Sequence, residues 1–321
     1  MVVITGGSAG IGRATALEFG RHGWRVVILA RGEQRLRDAC TEVALAGGKA
    51  IGLVVDVADE AQVEAAAERV EREWGAISVW VNNAMATVYA DVARMRAEDF
   101  RRVTEVSYLG AVWGTQAALR RMRPRNRGTV VQIGSALAYR SIPLQSAYCA
   151  AKAALRGFTD ALRTELIHDG SAVHLTMVQL SAFDTPQFDW GRNRMPGRPR
   201  PVGRVFPPER AARAIYRAAH CRRREHWVGL PAALAILGTR ALPGLLDRKM
   251  AREAWEGQME GGDTAEFVRA GNLLRPAGGR QGADGRFGAE VARGRRRELG
   301  ALAGAALAAG AALSVLLGQG R

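Results

Sequence analysis

The sequence is poor in cysteine, and its cysteines and histidines follow no metal-binding pattern. Cys40, Cys149 and Cys221 are odd in number and form no CxxC pair, which argues against a disulfide framework and against a cysteine zinc site. The five histidines show no metal-ligand spacing either, so no metal is predicted. These features are typical of a reducing compartment. No secretory signal precedes the first apolar run, so the predicted location is cytoplasmic.

Lysine is almost absent, although the chain is strongly basic. Only three of the 46 basic residues are lysine, at positions 49, 152 and 249, and the net charge is +15. The arginines lie in short runs scattered along the chain, a distribution more typical of a coding bias than of a nucleic-acid surface. We therefore predict no nucleic-acid partner. An anionic membrane surface or a phosphate-bearing cofactor would still use the charge.

One long uncharged run stands near the C-terminus, over Gly300–Gly320. A helix of about 20 residues spans roughly 30 Å, the thickness of a bilayer core. Arginines at positions 293 and 295–297 precede the run, as expected on a cytoplasmic flank. Two interpretations stay open: a transmembrane anchor on the cytoplasmic face of a membrane, and a low-complexity tail, since alanine and glycine are only mildly apolar.

Short β-branched runs alternate with helical patterns from Val2–Thr5 onward, and a last strand is predicted at 225–229. Such alternation predicts βαβ units, and near-continuous apolar strands fit a sheet covered on both faces. The predicted fold class is α/β: a Rossmann-like doubly wound parallel sheet in three α/β/α layers, with a C-terminal helical extension. The predicted organisation is a catalytic domain (1–230), a helical extension (231–275), a flexible Gly/Arg-rich linker (276–298) and an apolar tail (299–320).

A glycine-rich turn follows the first predicted strand and opens the first helix. Gly6, Gly10 and Gly12 have the spacing GxxxGxG, which permits a tight turn and close approach of a ligand to the backbone. The free N–H groups and positive dipole at the helix N-terminus favour a pyrophosphate. In this strand–turn–helix context the pattern predicts a dinucleotide site.

The end of the second predicted strand indicates which dinucleotide is bound. NAD sites commonly place an acid there for the ribose 2′-hydroxyl, whereas this chain has Arg31. A guanidinium pairs with a 2′-phosphate in a charge-assisted fork. The sequence therefore favours NADP over NAD.

Tyr148 and Lys152 lie four residues apart on a predicted helix, and so on one helical face. Free tyrosine, with a pKa of about 10, is a weak acid–base catalyst at neutral pH. A nearby ammonium favours the phenolate and lowers that pKa. The pair is therefore a candidate general acid–base when it accompanies a dinucleotide turn.

With these motifs together, the chain resembles the short-chain dehydrogenase/reductase (SDR) family over residues 1–230. The matching motifs are TGGSAGIG (5–12), Asp56-Val57, Asn82-Asn-Ala84, Ser135 and Tyr148-Cys-Ala-Ala-Lys152. Ser135 stands thirteen residues before Tyr148, the spacing expected of the family.

The resemblance implies roles for these residues. Tyr148 would exchange a proton with the substrate oxygen, Lys152 would hold the nicotinamide ribose and tune Tyr148, and Ser135 would hydrogen-bond the reacting oxygen. Asp56 would contact the adenine, and Asn82 would brace the cofactor-side loop. The implied cofactor contacts are Gly6, Ser8, Gly10, Ile11, Gly12, Arg31, Asp56, Val57, Asn82, Ala84, Tyr148, Lys152 and Thr185.

Three positions depart from the family pattern. Met85 replaces a frequent glycine, as a pocket residue or as a gap-filling side chain. Ser107 replaces a helix asparagine that is implicated in proton relay through an ordered water. A serine could still hold a water, so we expect reduced rather than absent activity and count Ser107 with the catalytic set. The usual Pro-Gly after the sixth strand is missing, and Thr185 is the expected contact of the nicotinamide carboxamide.

A substrate-side loop is expected over residues 184–206. Its apolar side chains predict a lid for a bulky apolar ketone or alcohol, or ordinary loop anchoring: Phe183, Phe188, Trp190 and Met195, joined by Leu137, Tyr139 and Leu144. The predicted function is NADP-dependent oxidoreduction of CH–OH groups on a small molecule. The alternative is a cofactor-binding regulatory or membrane-tethered scaffold protein with weak or no turnover. The resemblance also implies a homo-oligomer formed through the long fourth and fifth helices, which the apolar content of residues 103–119 and 150–166 permits.

Overall fold

The computed structural model describes residues 1–260, 269, 271–279 and 282–296. Its centre is a sheet of seven parallel strands with the spatial order β7-β6-β5-β4-β1-β2-β3. The strands are β1 (Val2–Thr5), β2 (Arg25–Ala30), β3 (Lys49–Val54), β4 (Val79–Asn82), β5 (Thr129–Ile133), β6 (His174–Leu180) and β7 (Glu225–Val228). The order reverses between β1 and β4, and ligands of such sheets bind beyond the carboxyl ends of the strands at this point.

Helices cover both faces of the sheet. They are α1 (Gly10–Arg21), α2 (Glu33–Leu45), α3 (Glu60–Trp74), α4 (Ala97–Thr104), α5 (Gly110–Met122), α6 (Ser146–His168) and α7 (Pro208–His220). One apolar core joins the sheet to α1, α2 and α7, and the other joins it to α3, α5 and α6. Burial on both faces explains why the strands are apolar along their length.

Local sequence signals account for several element boundaries. The Asp59 carboxylate accepts a hydrogen bond from the Gln62 backbone and so caps α3. Proline opens α7, where its missing N–H has no intrahelical partner to lose. A single π-helical turn, Glu105–Leu109, joins α4 to α5 without a break in the helix. Residues 97–122 therefore form one long helical unit.

After β7 the chain forms α8 (Leu230–Ala241) and α9 (Pro243–Lys249), and it stays helical through Met250–Ala254 and Trp255–Gly257. These elements match the predicted helical extension. The following residues differ from the predicted flexible linker: Leu273 and Phe287 are buried, and residues 288–296 are helical. Ion pairs hold this segment to the rest of the chain: Arg286 pairs with Asp189 and Glu260, and Glu290 pairs with Arg200.

In the described part of the chain, no helix has both the length and the apolar character needed to cross a bilayer. The predicted apolar tail, residues 299–320, lies outside the described residues. Its interpretation as an anchor therefore stays a prediction.

Candidate active site

The glycine turn between β1 and α1 is shaped by contacts that exclude a side chain. Gly6 has φ +65°, and a Cβ there would lie 2.7 Å from the Ala84 Cα. A Cβ on Gly12 would overlap the Gly6 carbonyl oxygen and the Asn83 amide. The turn therefore packs directly on the loop after β4, and its open side forms a backbone cradle suited to a phosphate.

Asn83, rather than Asn82, holds this turn. The Asn83 side-chain amide donates to the carbonyl oxygens of Thr5 and Gly6, at 3.0 and 3.2 Å. Asn82 faces the other way, where its amide donates to Thr115 and Gln132 at 2.9 and 3.1 Å. The expectation that Asn82 braces the cofactor-side loop is therefore corrected: Asn82 ties β4 to β5 and α5.

A cluster of arginines lies at the end of the cleft where the sequence predicts the adenosine of the cofactor. This end is called the adenosine end. Arg31 follows β2 as predicted, and Arg35 stands one helical turn later, at the start of α2. Asp56, beyond β3, pairs with Arg102 from α4. Burial lowers the pKa of both Arg31 and Arg35, and the neighbouring positive charges act in the same direction. An anion between these guanidiniums would relieve that repulsion.

The Tyr148–Lys152 pair lies on the first turns of α6, at the other end of the cleft. Lys152 is buried, and its Nζ donates a 2.7 Å hydrogen bond to the Ile133 carbonyl oxygen at the end of β5. The same Nζ lies 5.7 Å from the centroid of the Tyr148 ring. Ser135, two residues beyond Ile133, is close enough to the Tyr148 phenol to influence its pKa, and its hydroxyl accepts a 3.1 Å hydrogen bond from the Leu137 N–H. The structure thus brings the predicted pair, Tyr148 and Lys152, together with Ser135.

Burial dominates the proton affinities of this pair. It raises the pKa of the Tyr148 phenol above its usual range, although the neighbouring Ser135 hydroxyl acts in the opposite direction. It lowers the pKa of Lys152 to about 8. The sequence predicted the opposite direction for the pKa of Tyr148, because a nearby ammonium favours the phenolate. In the structure Lys152 instead bonds to a backbone oxygen.

Ser107 lies in the π-helical turn and is almost fully buried. Its hydroxyl accepts a 2.8 Å hydrogen bond from the Ala86 N–H and donates a 3.0 Å bond to the Ala86 carbonyl. The Ser107 hydroxyl therefore holds the loop after β4 through both backbone polar groups of Ala86. These two bonds allow Ser107 to position the loop after β4, and its part in proton relay stays a prediction.

One cavity of about 610 Å³ connects the two ends of the cleft, a volume typical of small-molecule sites. Most of the predicted cofactor and catalytic residues line it: Gly6, Ser8, Gly10, Ile11, Gly12, Arg31, Asp56, Val57, Ala84, Ser135, Tyr148, Lys152 and Thr185. Met85 lines it as well. Asn82 and Ser107 stand behind its wall.

The apolar part of the cavity contains only some of the side chains expected there. Leu137, Phe183, Phe188 and Trp190 line it. Met195, Tyr139 and Leu144 do not; the Tyr139 hydroxyl, for example, donates to Glu225 at 2.7 Å. The remaining wall comes from α8, α9 and the helical turn after them, through Leu234, Leu246 and Met250. No sequence pattern placed these residues at the site.

The residues at the adenosine end fit a phosphorylated dinucleotide. The glycine cradle has no room for side chains at Gly6 and Gly12. The Arg35 Nε is buried and has no hydrogen-bond partner among the described residues, which is costly unless a ligand supplies an acceptor. Arg35 itself was not predicted, and its only sequence signal is its position one turn after Arg31.

A family model described as "short chain dehydrogenase" matches residues 1–193. The chain belongs to the short-chain dehydrogenase/reductase family. This SDR chain is 33% identical over 261 residues to the uncharacterized oxidoreductase YxnA of Bacillus subtilis, which covers 80% of this chain and 73% of YxnA. It is 36% identical to the probable oxidoreductase EphD of Mycobacterium tuberculosis, but spans only 44% of that longer protein.

Mouse 17-beta-hydroxysteroid dehydrogenase 13 is 33% identical over 217 residues, with 67% of this chain and 68% of that protein covered. A solved structure with the same fold is the alcohol dehydrogenase of the archaeon Thermococcus sibiricus complexed with 5-hydroxy-NADP. It has a TM-score of 0.59 and 24% identity, and covers 70% of this chain and 94% of its own. The SDR assignment thus makes the protein an oxidoreductase with a Rossmann-like nucleotide-binding fold.

Proposed function

We propose that this SDR protein is an NADP-dependent oxidoreductase that interconverts a ketone and a secondary alcohol. The observation that carries the proposal is the continuous cavity that joins the glycine turn to Ser135, Tyr148 and Lys152. A dinucleotide on the turn and a substrate beside Tyr148 would share this cavity. When bound, the nicotinamide supplies the hydride.

The chain's own residues would handle the proton. Because burial raises the pKa of Tyr148, its phenol is protonated at neutral pH, the form needed to donate a proton to a carbonyl oxygen. The Ser135 hydroxyl, which also lines the cavity, would hydrogen-bond the same oxygen. Lys152 would turn its Nζ toward the nicotinamide ribose, from its place between β5 and the tyrosine ring.

The cofactor preference follows from the charges at the end of β2. Arg31 and Arg35 line the cavity where an NAD-selective site would carry an acid. Two guanidiniums can bind a 2′-phosphate through charge-assisted hydrogen bonds. The archaeal alcohol dehydrogenase is complexed with an NADP-type ligand, which is consistent with this preference.

The substrate class follows from the apolar side chains near Tyr148. Phe183, Phe188, Leu137, Leu234 and Met250 favour a bulky apolar ketone or alcohol. The name of the mouse relative, a hydroxysteroid dehydrogenase, fits a substrate of that shape.

The test is NADPH oxidation by the purified protein with a panel of apolar ketones, repeated with NADH. Turnover with NADPH at a rate well above that with NADH is expected. Tyr148→Phe should lower kcat by about 100-fold to 10,000-fold, the contribution of general acid catalysis. It should leave NADPH binding, followed by fluorescence, nearly unchanged.

Ser146→Ala, on the same helical turn, provides the matched control and should keep wild-type kcat. Full activity in Tyr148→Phe would contradict the acid–base assignment. Tight NADPH binding without reduction of any carbonyl would favour the cofactor-binding scaffold instead.

A further inference from the structure

A segment from late in the chain covers the cofactor cleft. Its described residues, 271–279 and 282–287, are called the C-terminal cover here. Asn272, Pro276 and Ala277 line the same cavity as the glycine turn and Tyr148. The cavity thus lies between the sheet and the cover.

The cover contacts both arginines of the adenosine end. Arg31 donates to the carbonyl oxygens of Asn272 and Leu273, at 2.6 and 3.1 Å. Arg35 donates to the Ala277 carbonyl oxygen at 2.6 Å. These bonds fix two long, flexible side chains at the edge of the cavity, and the Arg35 Nε remains without a partner among the described residues.

The cover is anchored at three further points along the cleft. The Leu273 side chain is fully buried, in the same apolar cluster as Val55 and Val57. The Gly282 carbonyl accepts a 3.2 Å bond from the Gly10 N–H of the glycine turn. The Phe287 N–H donates to the Asp184 carboxylate at 3.0 Å.

Gly285 allows the cover to approach the nicotinamide end. A Cβ on Gly285 would lie 2.6 Å from the Thr185 carbonyl oxygen and from the Asp184 carboxylate. Thr185 is the residue expected to contact the nicotinamide carboxamide. The cover therefore spans the cleft from the arginines to the catalytic end.

We infer that the C-terminal cover completes the dinucleotide site and sets its preference for NADPH by orienting Arg31 and Arg35. This inference rests on the proposed NADP-dependent function. An arginine held in one conformation loses less side-chain entropy when it binds a phosphate. The cover also excludes water from the adenosine end, which strengthens charge-assisted hydrogen bonds there.

Leu273→Ser tests the anchor of the cover, with Leu274→Ser as the control because Leu274 is 58% exposed. Loss of the buried leucine should raise the Kd for NADPH by about tenfold or more. The Kd for NADH should rise less, so the ratio of the two affinities should fall. A general loss of folding would weaken the binding of both cofactors and leave the ratio of their affinities unchanged. Leu274→Ser should leave both affinities unchanged.

Gly285→Ala is a second variant that removes no core side chain. It should push the cover away from Thr185 and raise the Kd for NADPH and for NADH, because both cofactors carry the same nicotinamide. Gly288→Ala is its control, because a Cβ there meets no heavy atom within 4 Å. In the wild-type protein, NADPH should slow hydrogen–deuterium exchange in residues 271–279 and 282–287.

Unchanged affinities in both variants, or tighter NADPH binding, would overturn the inference. Faster exchange of the cover on NADPH addition would overturn it as well, because the cover would then compete with the cofactor. Failure of the proposed function looks different: NADPH binds, Leu273→Ser weakens it selectively, and yet no carbonyl compound is reduced.

Discussion

The two ends of the cavity differ in which part of the protein forms them: mainly backbone at one end and side chains at the other. The nucleotide end consists mainly of backbone, from a stretch of eight residues (5–12) that packs on the next loop. The substrate end consists of large side chains from elements far apart in the chain, including Leu137, Phe183, Leu234 and Met250. The first end depends on the exact path of the chain, whereas the second depends mainly on volume and polarity. Substitutions should therefore be tolerated much less at the first end.

The largest effect is expected at Gly12, which lies in the part of the nucleotide end that is formed by backbone. Gly12→Ala places a Cβ against the Gly6 carbonyl and the Asn83 amide, and overpacking of this kind costs about 1–3 kcal/mol. The Kd for NADPH should rise by about 100-fold, as measured by fluorescence titration. Gly157→Ala in α6 is the matched helical control, since a Cβ there meets nothing within 4 Å. Equal behaviour of the two variants would contradict a backbone-built nucleotide end.

A smaller effect is expected at Ser107, which lies behind the loop between the two ends. Ser107→Ala leaves the buried N–H and carbonyl of Ala86 without their side-chain partner. It should lower the free energy of unfolding by about 1–3 kcal/mol, as measured by urea denaturation. A parallel fall in kcat would fit a positioning role. A fall in kcat with unchanged stability would indicate a proton relay instead.

The smallest effect concerns the catalytic end and its dependence on pH. Burial lowers the pKa of Lys152 to about 8, from an ordinary value of 10.5. Between these values the unfolded chain binds more protons, so Lys152 makes the folded state more stable as pH rises. Lys152→Met should flatten this rise in urea midpoints measured from pH 8 to 9.5. Lys49→Met, which removes an exposed lysine, is the matched comparison, and an unchanged slope in Lys152→Met would contradict the buried charge.

The same contrast explains what could be predicted from the sequence. The seven strands, the fold class and the Tyr148–Lys152 pair follow from periodicity and short motifs, which depend on local geometry. The family motifs placed Arg31 correctly at the end of β2. Asn83 could not be told from Asn82, because a one-residue shift at a strand end decides which side chain faces the turn.

Contacts between distant parts of the chain were missed. Leu234 and Met250 reach the cavity only because α8 and α9 fold back over it after β7. A glycine- and arginine-rich segment reads as a linker when it is considered alone. Gly285 instead permits close packing and Arg286 pairs with acidic side chains, neither of which a local pattern records. The direction of the Tyr148 pKa was missed for a related reason, since burial depends on the whole fold.

The π-helical turn between α4 and α5 determines how far α5 is rotated about its own axis relative to α4. An α-helix advances about 100° per residue, so deleting one residue from positions 105–109 would turn α5 by about that angle. A Cβ at Gly114 would overlap the side chains of Trp80 and Asn82, and the rotation would bring a bulkier residue to that place. The extra residue of the π-helical turn thus keeps Gly114 of α5 facing β4, the strand that leads into the cofactor-side loop.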